Sequence, residues 1–359
     1  MLVTVTWLLR APGSPAAVAA QVAVAASAAS PALRAPLVAT SAVVSPPASR
    51  LPASNGGTGR SDCSLQRSAP ESAPDQGSDM PGSRDPRVAE AARRLRQRLL
   101  DSTDAYARAV GLWLDDPDRD DRLAGLVELA LHTSDPSLYA LAYRSCDKAA
   151  PNPASGCGQL NARRWAELDP GNGMPWLFLF EAAHRNADES GQQEALFHVG
   201  NAERIDDRER APMGPIVDVT RDGRAGLMAS RQLFEEAVGQ AAAQSWPLAA
   251  LNEACRGDRL ADANRAQACL GVAALMAKRS DSLMMTQAGG AMATRFTGDP
   301  TWRERSVATA IALRANQPDL LSDDCGGVRR ALDYERRVAA VGEVEALRER
   351  QRAARPSHR

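Results

Sequence analysis

Residues 154–205 read ASGCGQLNARRWAELDPGNGMPWLFLFEAAHRNADESGQQEALFHVGNAERI. The pattern is helix, tight corner, helix, polar corner, helix. Asp169 and Pro170 make the first corner. Proline has a fixed φ and no N–H, so it cannot sit inside the preceding helix, and it drives the residue before it out of helical geometry. Gly171 and Asn172 tolerate the left-handed backbone of a tight corner. Before the corner, Cys157, Leu160, Trp165 and Leu168 form a loose helical stripe. After it, Trp176, Leu179, Phe180 and Ala183 recur at spacings of three and four. Such stripes must be hidden against neighbouring helices, so these aromatics are expected in the core rather than in an aromatic ligand box.

The run AELDPGNGMPWLFL, followed by EALFHVGNAERID, resembles a tetratricopeptide repeat (TPR). In that family a hairpin carries Trp and Leu early in its first helix and Ala with bulky apolar residues in its second, and Leu-Asp-Pro closes the unit. Trp176, Leu179, Ala195, Val199 and Ala202 fall on those positions, and Leu168, Asp169 and Pro170 on the end of the preceding unit. Trp165 stands where the family has a small Ala, Asp207 replaces the closing Pro, and about three residues around Glu189 look inserted. Asp135-Pro136 and Asp169-Pro170 lie 34 residues apart, the family's period. The resemblance covers two hairpins, about a quarter of the chain. It implies an all-α fold of antiparallel helical hairpins stacked as a TPR-like α-solenoid, with a surface that binds a peptide or partner helix.

Outward from this stretch, the N-terminal side changes character. No aromatic occurs between Trp7 and Tyr106. A segment that poor in large side chains cannot bury enough surface to offset its ordering entropy. Residues 1–85 therefore read as a disordered leader rich in Ala, Pro and Ser. Its start, MLVTVTWLLR, has a short apolar run with alanines near Val18-Ala19-Ala20 that suit a signal-peptide exit, but no basic start. The expected location is periplasmic or secreted. The other reading is a cytoplasmic protein with an unstructured Ala/Pro tail, or a start codon placed too far upstream. No continuous apolar stretch reaches the roughly eighteen residues of a membrane span.

Asp85-Pro86 has the form of a helix cap followed by proline in the first turn. Helices are predicted from there, over about 103–114, around Leu123–Leu131, and from Asp135-Pro136 to Asp147. Residues 86–205 make a first helical lobe. Residues 206–224, DDRERAPMGPIVDVTRDGR, interrupt the pattern with two prolines and two glycines as an irregular connection. A second lobe over 225–359 has helices at 225–244, 246–255, about 262–278, 281–297 and 299–316, then one amphipathic helix from Val328 to about Arg352. Gly289, Gly290 and Ala293 are expected to let two helices approach closely. No β-strand pattern occurs.

The formal net charge is −1, with 43 basic and 44 acidic residues interspersed, which argues against nucleic acid or an acidic membrane as partner. There are six cysteines and no CxxC, so zinc-finger and thioredoxin-type signatures are absent. Cys146 ends one helix and Cys157 opens the next across a Pro- and Gly-bearing corner, so the two can pair; the other reading is two buried thiols. Cys255 and Cys269 pair only if the helix between them begins near Asp262, because a start at Asp258 carries Cys269 too far along it. Cys63 falls in the leader.

Catalytic motifs are missing: no GxxxxGK[ST], GxGxxG, GxSxG or HExxH occurs. Glu181 and His184 have Glu-x-x-His spacing, but a di-metal bundle site needs a second copy, and neither His132 nor His198 has a Glu three residues before it. Asp116, Asp118 and Asp120 alternate as in a calcium loop, but Asp121 takes the glycine's place and Val127 the bidentate glutamate's. Cys157, between two glycines at a helix start, could be a nucleophile with His184 or His198 as base, although no protease-type surround accompanies it. The leading expectation is a non-catalytic interaction or scaffold protein of the cell envelope without a cofactor. It would bind a protein or peptide through Arg163, Arg164, His184, Arg185 and Asn186 beside the central corner. A purely structural helical module is the remaining alternative.

Overall fold

The computed structural model describes residues 85–114, 120–148, 155–220, 224–242, 247–314 and 324–354. The leader, its signal-sequence reading, Cys63, Asp116 and Asp118 lie outside the described residues. Among those described, fifteen α-helices and no strand occur. They begin with α1 (Pro86–Leu100), α2 (Ala105–Trp113), α3 (Asp120–Leu131) and α4 (Pro136–Lys148). A 3-10 turn at Cys157–Gln159 precedes α5 (Ala162–Leu168), α6 (Met174–Arg185), α7 (Glu189–Gly200) and α8 (Met213–Asp218). Then come α9 (Arg224–Ala242), α10 (Leu248–Ala254), α11 (Ala263–Arg279) and α12 (Leu283–Thr297). The chain ends in α13 (Thr301–Arg314), α14 (Cys325–Val341) and α15 (Glu343–Ala354).

Caps explain where many of these helices start. Asp85 accepts from the Arg87 N–H with Pro86 in the first turn. Asp104, Asn161, Asp188, Asp262, Ser282 and Asp324 do the same for α2, α5, α7, α11, α12 and α14. A side-chain oxygen at this position satisfies an N–H that the helix itself leaves open, worth about 1 kcal/mol. The α11 cap has a further consequence. Residues Gly257–Ala261 take a 3-10 turn and α11 starts only at Ala263, so Cys269 comes back within reach of Cys255.

The C-terminal helix predicted as one segment is two. Gly342 takes φ +83° and ends α14, and a Cβ there would meet the Asp281 Cβ at 2.8 Å. Only glycine suits both demands. Residues 206–224 hold the short helix α8, which packs on α14, α9 and α2. The glycines of α12 act as expected. A Cβ on Gly289 would lie 2.5 Å from the Ala277 nitrogen of α11, and one on Gly290 would lie 2.2 Å from Ser306 Oγ of α13.

Antiparallel neighbours α6–α7, α11–α12 and α12–α13 pack closely. Helices distant in sequence also meet: α1 on α9, α7 on α11, α6 on α10. A strictly linear stack confines contacts to adjacent repeats; here one buried apolar cluster runs from Val88 to Leu332. At its centre Tyr143, Trp165 and Phe178 form a triangle of rings with centroids 5.5–6.0 Å apart. Trp165 is fully buried, at the position where the repeat family has a small residue. The face that α6 buries is Met174, Leu177, Phe178 and Phe180. Trp176 and Leu179 are only half-buried at its edge.

Candidate functional site

Two places concentrate unusual chemistry: a ledge on α6–α7 and a junction where three connections meet.

The ledge begins with Trp176. Its ring stacks on His198 of α7 with centroids 3.7 Å apart and planes within 11°. Phe197 meets the His198 ring edge-on at 5.6 Å and is 64% exposed, where a core residue of its size would be covered. Arg163 of α5 lies over the Trp176 ring, 5.3 Å from its centroid, and bonds Glu194 of α7 at 3.0 Å. The result is a continuous strip of aromatic surface flanked by one ion pair.

The five residues expected to bind a partner have different neighbours. Arg163 belongs to this ledge. Arg164 is exposed and pairs with Glu167 on its own helix. His184 is half-buried, turns to Glu253 of α10 at 3.4 Å and stacks on Phe180. Arg185 and Asn186 are exposed at the end of α6. Phe197 and His198 were missed as surface because the second helix of a repeat hairpin is read for its buried alanines.

Both cysteine pairings are present: Cys146–Cys157 with Cα atoms 5.4 Å apart and Cys255–Cys269 with Cα atoms 5.8 Å apart. No cysteine is free among the described residues. The Cys157 sulfur is therefore part of a covalent bridge, and thiol chemistry there first requires reduction. Its proposed bases have other neighbours, His184 in Glu253 and His198 in Trp176. Such bridges persist where the environment is not reducing, and no described helix is long and apolar enough to cross a membrane.

The junction grows from the Asp169–Asn172 corner. Asn172 is fully buried. Its Oδ1 accepts from the Met174 and Asp206 N–H groups at 3.0 Å each, and its Nδ2 donates to Asp169 Oδ2 and to the Asp206 carbonyl. The corner is thereby locked to the strip after α7, with Gly173 N–H donating to the Arg204 carbonyl at 2.9 Å. That strip continues the chain of bonds. Ile205 N–H donates to the Arg279 carbonyl, Asp281 N–H to the Ile205 carbonyl, and Val344 N–H to the Asp281 carbonyl, all at 3.1 Å. Three connections (α5–α6, α7–α8 and α11–α12) and the α14–α15 corner meet at this point.

Charged side chains fill the meeting place. Asp169 accepts from Arg204 and from Arg208, the latter at 3.1 Å. Arg208 takes φ +58°, a left-handed backbone unusual for a side-chain-bearing residue, and its Nε lies 3.0 Å from Asp206 Oδ2. Arg144 of α4 donates to the Asp207 backbone carbonyl at 2.8 Å. Asp207 Oδ1 accepts from the Glu209 N–H, while Oδ2 has no partner; neither has Asp281 Oδ1 nor the buried Tyr106 hydroxyl. Burial pushes the Asp207 carboxyl up to about 7, against the pull of Arg144 and with the push of Glu209. Burial first, then the charges of Asp207 and Asp206, hold Asp281 well above the usual carboxylate range. One carboxylate oxygen each from Asp206, Asp207 and Asp281 lies within 4.8 Å of the others. A cavity of about 400 Å³ opens beside Asp206 and Asp281, and its other charged lining is mostly basic, with Arg204, Arg208, Arg210 and Arg348 among it.

No protein-family model, curated protein or solved structure matches this chain.

Proposed function

We propose that this chain is a non-catalytic interaction protein of a non-reducing compartment such as the cell envelope. It binds a protein or peptide partner on the α6–α7 ledge. In this reading α4–α5 and α6–α7 are two TPR-like hairpins, and the ledge is the exposed side of the second. The observation that carries it is Phe197, a large apolar ring 64% exposed beside a stacked Trp176–His198 pair and Arg163. Aromatic rings and arginine are the side chains that most often dominate binding energy at interfaces. A peptide offering an apolar side chain to the Phe197–Trp176 strip and a carboxylate to Arg163 would meet both features.

Affinity capture from envelope extract, followed by titration of the purified captured protein, tests this. Phe197→Ser and Arg163→Glu should each weaken binding at least about tenfold, the loss of one good anchor, with an unchanged helical dichroism spectrum. Binding indifferent to both substitutions overturns the ledge. Thiol labelling of the native oxidised protein is a separate check. An alkylatable Cys157 without reductant would replace this reading with the cysteine enzyme. N-terminal sequencing of the mature protein tests the compartment.

A further inference from the structure

We propose that Asp206, Asp207 and Asp281 bind a hard divalent cation of the calcium or magnesium class, which ties the connection after α7 to the connection between α11 and α12. This goes beyond the partner-binding reading and does not depend on it.

The geometry is that of three carboxylates brought together from two segments separated by the whole run from α8 to α11. One oxygen from each lies within 4.8 Å of the others. Oxygens that share a calcium ion sit about 2.3–2.6 Å from it and hence up to about 5 Å from one another. The separate sign of a ligand is the pair of orphaned oxygens. Asp207 is only 3% exposed and its Oδ2 has no partner, and Asp281 Oδ1 is also buried without one. A carboxylate oxygen removed from water with nothing donating to it is costly, and native proteins rarely leave one so.

The nearby guanidiniums make no hydrogen bond to either of these two oxygens. Arg204 and Arg208 grip Asp169, Arg208 also faces Asp206, and Arg144 gives an N–H to the Asp207 backbone carbonyl while its charge favours the ionised Asp207 carboxyl. The donor set is all oxygen, without Cys or His, which selects hard ions over zinc or copper. Asp206 and Asp281 also line the 400 Å³ cavity, so waters can reach the ion and complete its shell. Because the donors meet only in the folded chain, the ion stabilises the fold by linkage.

The test uses the full-length oxidised protein, stripped with chelator and dialysed at about pH 7.5, where the carboxylates release protons most readily within the stable range. Equilibrium dialysis with elemental analysis, in separate calcium and magnesium arms at matched ionic strength, should find one ion per chain in at least one arm. The thermal midpoint should rise by about 3 °C or more at saturation. The Asp207→Asn/Asp281→Asn double variant, with native dichroism, should bind at least tenfold more weakly. The milder Asp206→Asn should weaken binding without disturbing the buried pair. Wild-type protein that takes up neither ion at millimolar concentration overturns the proposal, and the cluster then holds a proton only. So does binding that survives unchanged in a folded variant. Wild-type stoichiometry decides the matter even if the double variant fails to fold.

Discussion

Trp165 and Asp169 are one helical turn apart, yet each anchors an opposite solution to burial. Around Trp165, the Tyr143 and Phe178 rings fill space with apolar surface, and the Cys146–Cys157 bridge covalently joins α4, which carries Tyr143, to the 3-10 turn that Cys157 opens ahead of α5, in place of the helix start expected there. Around Asp169, the chain gathers carboxylates and guanidiniums, some buried and some half-buried, and holds them with directional contacts. The apolar cluster is tolerant of detail, because hydrophobic attraction has no direction. The polar junction is intolerant, because every group left without a partner costs about 1–3 kcal/mol. The first region supplies stability. The second aligns the loops and makes that alignment depend on charge.

The apolar side of the comparison should break hardest. Trp165→Ala removes the largest fully buried side chain and should cost about 3–5 kcal/mol, measured by urea unfolding. Trp165→Phe keeps a ring and discards an indole N–H that has no acceptor, so its cost should stay under about 1.5 kcal/mol. Equal losses for the two variants would show that the site depends on indole shape rather than on apolar volume. Gly289→Val should approach the Trp165→Ala loss, because its Cβ would lie against the backbone of α11 and cannot be relieved by a side-chain rotation.

Next come the bridges. Replacing Cys255 and Cys269 by Ala should cost about 3 kcal/mol, the loop-closure value for a span of this size, and somewhat more if the buried sulfurs leave a void. The Cys146–Cys157 pair, part exposed and closing a slightly shorter loop, should cost somewhat less. Unfolding curves with and without reductant, for each double variant, separate the two.

Legibility followed the same divide. Helix starts marked by Asp-Pro, the close approach at Gly289 and Gly290, and the Cys146–Cys157 bridge were readable because each rests on residues near in sequence or on one helical period, whereas the Cys255–Cys269 pairing hung on where α11 begins. Helix α14–α15 was read as one, because residues 328–352 keep an amphipathic helical spacing across Gly342. What breaks the helix is the distant Asp281, packed where a Cβ would be. The Asp207 junction was unreadable for the same reason. Asp206 and Asp207 were read only as part of an irregular connection, Asp207 in the place of a closing Pro, and nothing local says that Asp281 arrives beside them. Trp176 was placed in the core by its spacing. It lies at the edge of the buried face because α7 offers His198, rather than an aliphatic residue, against it.

The polar side of the comparison predicts a pH dependence of definite sign. In chelator, Asp207 has a folded-state pKa of about 7 against an unfolded value of about 3.9. The folded chain holds the extra proton between these values, so stability falls as pH rises from about 4 to about 7, by up to about 1.4 kcal/mol per pH unit for one proton. This contribution runs opposite to that of ordinary salt-bridged carboxylates. Asp207→Asn should flatten the slope and leave the Trp165 losses unchanged. A slope that persists in the variant would move the effect to Asp281, whose shift has the same direction.

The smallest effect is expected at the ledge, and its smallness is the point. Arg163→Ala removes an exposed ion pair with Glu194 and a cation–ring contact with Trp176, together worth about 1 kcal/mol or less. Phe197→Ser touches neither buried region and should change stability by less than about 0.5 kcal/mol. A surface ring that contributes so little to folding is free to be used for binding. If Phe197→Ser instead destabilised the chain by several kcal/mol, the ring would be serving the fold, and the distinction between a buried framework and an exposed binding strip would collapse at the residue on which it rests.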